Sequence, residues 1–64
     1  MEFKVENMTC GHCVRAVTEA IRRLDPDAEV SAQLEAGRVR VTGAVETSAV
    51  VAALAEEGYP ASPL

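Results

Sequence analysis

The feature that most constrains this chain is a change of hydrophobic period. From Glu2 to Glu6 the side chains alternate, with Phe3 and Val5 on one face and Glu2, Lys4 and Glu6 on the other. That is the period of a half-buried strand. From Cys13 onward the spacing becomes helical: Val14, Val17, Ile21 and Leu24 recur on one side, while Arg15, Glu19, Arg22 and Arg23 take the others,. Asp25-Pro26-Asp27 ends the helix, because proline disfavours the helical conformation in the residue before it and aspartate suits turns,. Alternation then returns. Val30, Ala32 and Leu34 are followed, across Glu35-Ala36-Gly37, by Val39 and Val41, which predicts two strands joined by a hairpin,. A second helix is expected from a cap at Thr47 or Ser48, through Val50, Val51 and Leu54, to Gly58 as the residue that closes it,. Tyr59 to Leu64 leaves room for one short strand, and Pro60 and Pro63 confine it to a sheet edge,. The order β-α-β-β-α-β predicts an α+β, ferredoxin-like sandwich with two helices on one face of a four-stranded antiparallel sheet.

With 64 residues the chain has material for one core, so residues 1–64 are expected to form one domain,. Cores of this size supply only about 3–5 kcal/mol of net stability, and a bound metal ion is one way to add more. The ten acidic and six basic residues give a net charge of −4, with no cluster of lysines and arginines, which argues against nucleic acid as a partner,. One Phe, one Tyr and no Trp are also too few for a base-stacking platform,. No apolar run has the length of a signal peptide or a membrane span, so the expectation is a soluble, cytoplasmic protein that is not inserted in a membrane. Cytosolic thiols are kept reduced, and a close cysteine pair there points to metal binding or redox work, not to a structural bridge.

The chemistry concentrates in Asn7-Met8-Thr9-Cys10-Gly11-His12-Cys13, between the first strand and the first helix. Cysteines three apart at a helix start can aim both sulfurs at one ion, and the backbone N–H groups there favour thiolate over thiol. Two thiolates alone make a poor structural zinc site, because such sites take four ligands. They suit a soft ion of low coordination, copper(I) first, with silver(I) and mercury(II) as competitors, whereas calcium and magnesium need oxygen.

The segment Met8-Thr9-Cys10-Gly11-His12-Cys13 resembles the MxCxxC signature of heavy-metal-associated domains and bacterial copper chaperones. Strand one, Val17 and Ile21, the Glu35-Ala36-Gly37 hairpin and the closing Gly58-Tyr59 also fall where that family has its elements, so the likeness spans the chain. It implies that Cys10 and Cys13 are the metal ligands, that Met8 lies beneath the loop as core, and that Tyr59 lies close to the loop. A tyrosine in this place is similar to bacterial members. The implied function is carriage of copper(I), without catalysis, to a copper-transporting P-type ATPase. Zinc(II) and cadmium(II) carriers share the scaffold, but the acidic neighbours of the cysteines common among them are missing here. Pro60 and Pro63 depart from the pattern and bear on the length of the last strand.

Three alternatives stand beside this. The chain could be a metal-binding domain cut from a transporting ATPase; Met1 and the lack of a flanking linker argue for a free-standing carrier. Cys10-Gly11-His12-Cys13 is also the tetrapeptide of disulfide isomerases, but a thioredoxin-like domain needs roughly a hundred residues and more structure ahead of its motif. Third, two exposed sites sharing metal ions would give a metal-bridged homodimer. His12, between the two ligands, is expected to be an exposed loop residue. Glu19 is spaced to pair with Arg15, Arg22 or Arg23.

Overall fold

A computed structural model describes all of residues 1–64. Its elements are β1 (Glu2–Val5), α1 (Gly11–Leu24), β2 (Glu29–Gln33), β3 (Arg38–Thr42), α2 (Thr47–Glu56) and β4 (Ala61–Pro63). The four strands form one antiparallel sheet in the order β2-β3-β1-β4, so each βαβ unit leaves a gap that a strand from the other half fills,. This is the ferredoxin-like fold the periodicity predicts.

Pleating decides which residues meet the helices. Phe3 pairs with Val39, and both are fully buried, as is Val41 in the next inward position of β3. Their neighbours Glu2, Lys4, Arg38 and Arg40 point to the other, solvated face,. From the helices come Val17, Ala20 and Ile21 of α1 and Val50 and Leu54 of α2, and the whole set forms one apolar cluster. Complete burial of a Leu, Ile or Phe side chain contributes about 1.5–3 kcal/mol, so these few residues carry the fold.

Several boundaries differ from the expectation. α1 begins at Gly11, ahead of Cys13. Its buried stripe is centred on Val17, Ala20 and Ile21, and Leu24 is 43 % exposed, at the mouth of a shallow cleft with Ala20 and Ala53. Leu34 has left the strand; its carbonyl accepts the Gly37 N–H at 3.2 Å in the hairpin turn. Gly37 is the residue this turn requires, since its φ is +64° and a Cβ would stand 3.3 Å from the Val5 carbonyl oxygen,. Neither Thr47 nor Ser48 caps α2. Glu46 holds the cap position without a side-chain bond, and the Thr47 hydroxyl turns instead to the Met1 sulfur at 3.2 Å.

The other end of α2 closes as predicted. Gly58, at φ +88°, donates its N–H to the Ala55 carbonyl at 3.1 Å, and Tyr59 donates to that of Leu54 at 2.8 Å. These two bonds are a Schellman closure, which reverses the chain and leads it through Tyr59 into β4. β4 is three residues long and lies at the sheet edge, where Pro63 faces Phe3. Arg23 reaches Glu57 at 3.9 Å and Arg40 reaches Glu2 at 2.9 Å; these are the ion pairs, and Glu19 forms none with the arginines around it. No helix is long and apolar enough to cross a membrane.

Candidate functional site

The loop after β1 is held where it leaves the strand. The Glu6 N–H bonds to the Pro60 carbonyl at 2.9 Å. Asn7 then takes a left-handed conformation, φ +69°, and its side-chain amide donates to the Gly58 carbonyl at 3.2 Å. Asparagine tolerates that region better than most residues, and here it turns the chain while tying it to the segment that carries Tyr59. Met8 follows and is 5 % exposed, within the core cluster, as the resemblance implied. The loop is thus anchored on apolar packing one residue before the chemistry begins.

Thr9 and Cys10 are exposed and Cys13 is half-buried. Cys10 is the N-cap of α1, in extended conformation, and its carbonyl accepts the Val14 N–H at 3.2 Å. Its sulfur makes no capping bond, and no acidic residue stands in the first turn. The positive end of the helix therefore acts on sulfur with no carboxylate competing for it. Both cysteines are free thiols, with their Sγ atoms 3.7 Å apart. A disulfide would need about 2.05 Å.

Around Cys13 the donors converge. Its pKa is lowered from 9.0 to about 6, most of all by the Tyr59 hydroxyl, then by the Thr9 backbone, with burial opposing and the Thr9 hydroxyl and Cys10 thiol assisting. The Thr9 hydroxyl stands 3.8 Å from the sulfur. Tyr59 in turn is raised above its ordinary value, first because its phenol is donated to Cys13 and then by desolvation and by the negative charge of the sulfurs. At neutral pH, Cys13 is thus mostly an anion, with the Tyr59 hydroxyl as its first donor,.

The structure brings Cys10, Cys13 and Tyr59 together, as expected. His12 is exposed, and no cluster of three or more His, Cys, Asp or Glu side chains with metal-binding geometry forms anywhere in the chain. The roles of Asn7 and Thr9 were not read from the sequence. An asparagine directly after a strand signals a left-handed turn, and a threonine four residues before Cys13 is close enough along the chain to reach it, so both signals were present.

A βαββαβ sandwich with a reduced cysteine pair at the mouth of its first helix defines a small metal-handling domain. The model of the heavy-metal-associated domain matches residues 2–60, and the chain belongs to that family. Among curated relatives, it is 37 % identical over 60 residues to the copper chaperone CopZ of Bacillus subtilis, covering 89 % of this chain and 87 % of that one. It is 40 % identical over 60 residues to copper-transporting ATPase 1 of Rhizobium meliloti, covering 91 % of this chain but only 7 % of the ATPase. Among solved structures, the copper chaperone Atx1 from Synechocystis, in a trimeric form, superposes with a TM-score of 0.93 at 29 % identity, covering 97 % of this chain and 98 % of that one. A gold binding protein superposes with a TM-score of 0.90 at 33 % identity, covering 95 % of this chain and 94 % of that one.

Proposed function

We propose that this protein is a cytoplasmic copper(I) carrier, a single domain over residues 1–64, that holds its ion between Cys10 and Cys13 and passes it to a copper-transporting P-type ATPase. The observation that carries the reading is the pair of free sulfurs 3.7 Å apart at the start of α1. A metal–thiolate bond of about 2.3 Å, the length found for zinc, lets both sulfurs reach one ion with an S–metal–S angle of about 107°. Separating the sulfurs by roughly 1 Å more would make the arrangement linear. Either way the ion keeps an open side, because no further His, Cys, Asp or Glu side chain closes the site.

That open side is the means of transfer. A thiolate of the recipient bonds to the ion, giving three sulfurs around it, and one sulfur of this chain then leaves; each bond broken is preceded by one formed. No group is oxidised or reduced. Each thiol that becomes a ligand gives up a proton, and the low pKa of Cys13 means that its proton is already gone at neutral pH,. The family membership, the CopZ and Atx1 relatives and the ATPase domain of similar sequence all support copper as the cargo and an ATPase as the recipient. The gold binding protein shares this scaffold, in keeping with ions other than copper, among them silver(I), mercury(II), zinc(II) and cadmium(II), as competitors,.

The test is an anaerobic copper(I) titration of the reduced protein against a competing chelator. The parent takes up one ion per chain, and Cys10→Ser and Cys13→Ser each lose at least about tenfold in affinity. Serine variants that bind as well as the parent would refute the site. Sedimentation at rising copper content distinguishes a carrier monomer from a metal-bridged homodimer, and failure to reduce insulin separates carriage from thiol exchange.

A further inference from the structure

The solvated face of the sheet has a pattern that the metal loop does not use. Register places Gln33 opposite Arg38, Arg38 opposite Lys4, and Lys4 opposite Ser62. These four residues form one row across all four strands, about 14 Å from first to last,. Every side chain in the row can donate a hydrogen bond and none is acidic. All four are exposed.

At its centre, two cations stand directly opposite each other on neighbouring strands. Like charges so placed destabilise a sheet. Neither Arg38 nor Lys4 has a carboxylate partner: the carboxylate of Glu2 is taken by Arg40 at 2.9 Å, and Glu6, beyond the strand end, pairs with neither. Carboxylates stand elsewhere on this face, Glu2 in the neighbouring row and Glu29 opposite Thr42, but neither is paired with Lys4 or Arg38. Beside the row lies a shallow, wholly polar concavity of about 290 Å³, lined by Glu2, Ser31, Gln33, Arg38 and Arg40.

We infer that this face docks an extended, acidic segment of a protein partner, whose carboxylates neutralise Lys4 and Arg38 while Gln33 and Ser62 donate to the same segment. The cysteines take no part in it. Charge complementarity selects the partner. A nucleic acid would want aromatic faces, and this face has none, since Phe3 is buried in the core and Tyr59 belongs to the metal loop,. An anionic membrane is held by four to eight basic residues, whereas this face offers three, one of them already paired,. An extended peptide presents alternate side chains about 7 Å apart on one side, a spacing that two neighbouring cations can meet.

The test uses the reduced, metal-free protein, titrated with a synthetic peptide of eight glutamates at low ionic strength and followed by amide chemical shifts. Saturable shifts are expected at Lys4, Gln33, Arg38 and Ser62, weakening as salt is raised. Lys4→Gln with Arg38→Gln weakens binding about tenfold or more, and without peptide the doubly substituted protein melts no lower than the parent. The inference is overturned if no saturable shifts occur, if they centre on Arg15, Arg22 and Arg23 of α1, or if the double variant binds as well as the parent. It is also overturned if anionic vesicles or a single-stranded oligonucleotide bind this face and the peptide does not. Because metal is absent throughout, none of these outcomes bears on copper binding.

Discussion

Tyr59→Phe isolates the contact that most affects the sulfur chemistry. The substitution keeps the ring and removes only the hydroxyl. Of the four influences that lower the Cys13 pKa, Tyr59 is the largest, and burial works against all four. The net fall from 9.0 to about 6 is thus smaller than the gross lowering, and the largest of four contributions is at least a quarter of that gross figure. Its removal should undo at least about a quarter of the fall in the Cys13 pKa, so that at pH 7 the thiolate fraction drops from about nine-tenths to about two-thirds or less,. The assay is the pH titration of the Cys13 β-carbon resonance in metal-free, reduced protein, which reads this sulfur separately from that of Cys10. In parallel, the Tyr59 phenol of the parent should titrate above its ordinary value, because Cys13 and the nearby negative charges oppose its ionisation. An unchanged Cys13 midpoint in Tyr59→Phe would refute the assignment of Tyr59 as the main donor. So would a larger rise in Thr9→Val, which removes only the lesser side-chain donor.

The same shift makes stability depend on pH. A folded-state thiol at about 6, below its ordinary 9.0, stabilises the fold fully above pH 9, progressively less as the pH falls through 6, and not at all below,. The difference in urea midpoint between parent and Cys13→Ser should therefore grow from pH 5 to pH 9, and a constant difference would contradict the linkage. Leu54→Ala tests the core: Leu54 is fully buried, and its truncation should cost about 2–5 kcal/mol, comparable to the whole stability of a chain this size,. Circular dichroism at 25 °C should find that variant largely unfolded, and a loss below about 1 kcal/mol would show the site to be loosely packed.

Much of the fold is legible because period and register are the same information read twice. Alternation in Glu2–Glu6 and Arg38–Thr42 fixes the inward residues whatever lies between them, and Gly37 and Gly58 take left-handed conformations, the first turning the chain into β3 and the second closing α2. Helix starts were less legible. No Ser, Asp or Asn marks the start of α1, where Cys10 holds the N-cap without a side-chain bond, and the conspicuous Thr47 spends its hydroxyl on Met1. The cysteine pair needed only spacing. Tyr59 lies 46 residues from Cys13 in the chain, and no local rule brings them together; the family resemblance supplied that expectation, and the sheet register explains it.

The register does so because β1 and β4 are neighbours with Val5 opposite Ala61, so the segment leaving β1 and the segment entering β4 must emerge side by side. Asn7 and Gly58 then fasten these segments with one hydrogen bond, and the Schellman closure of α2 sets where Tyr59 begins. Further constraints come from backbone and core: buried Met8 beneath the loop, the Glu6–Pro60 bond beside it, Leu54 beneath the turn. None of these groups covers Cys10, which remains exposed. A carrier must satisfy two opposed demands, a sulfur pair fixed closely enough to bind and open enough to release. Placing rigidity below the loop and leaving its upper side bare meets both. A substitution that loosens Asn7 or Leu54 should therefore weaken metal binding without touching a sulfur, whereas one that caps the loop with a bulky group should spare binding and slow release.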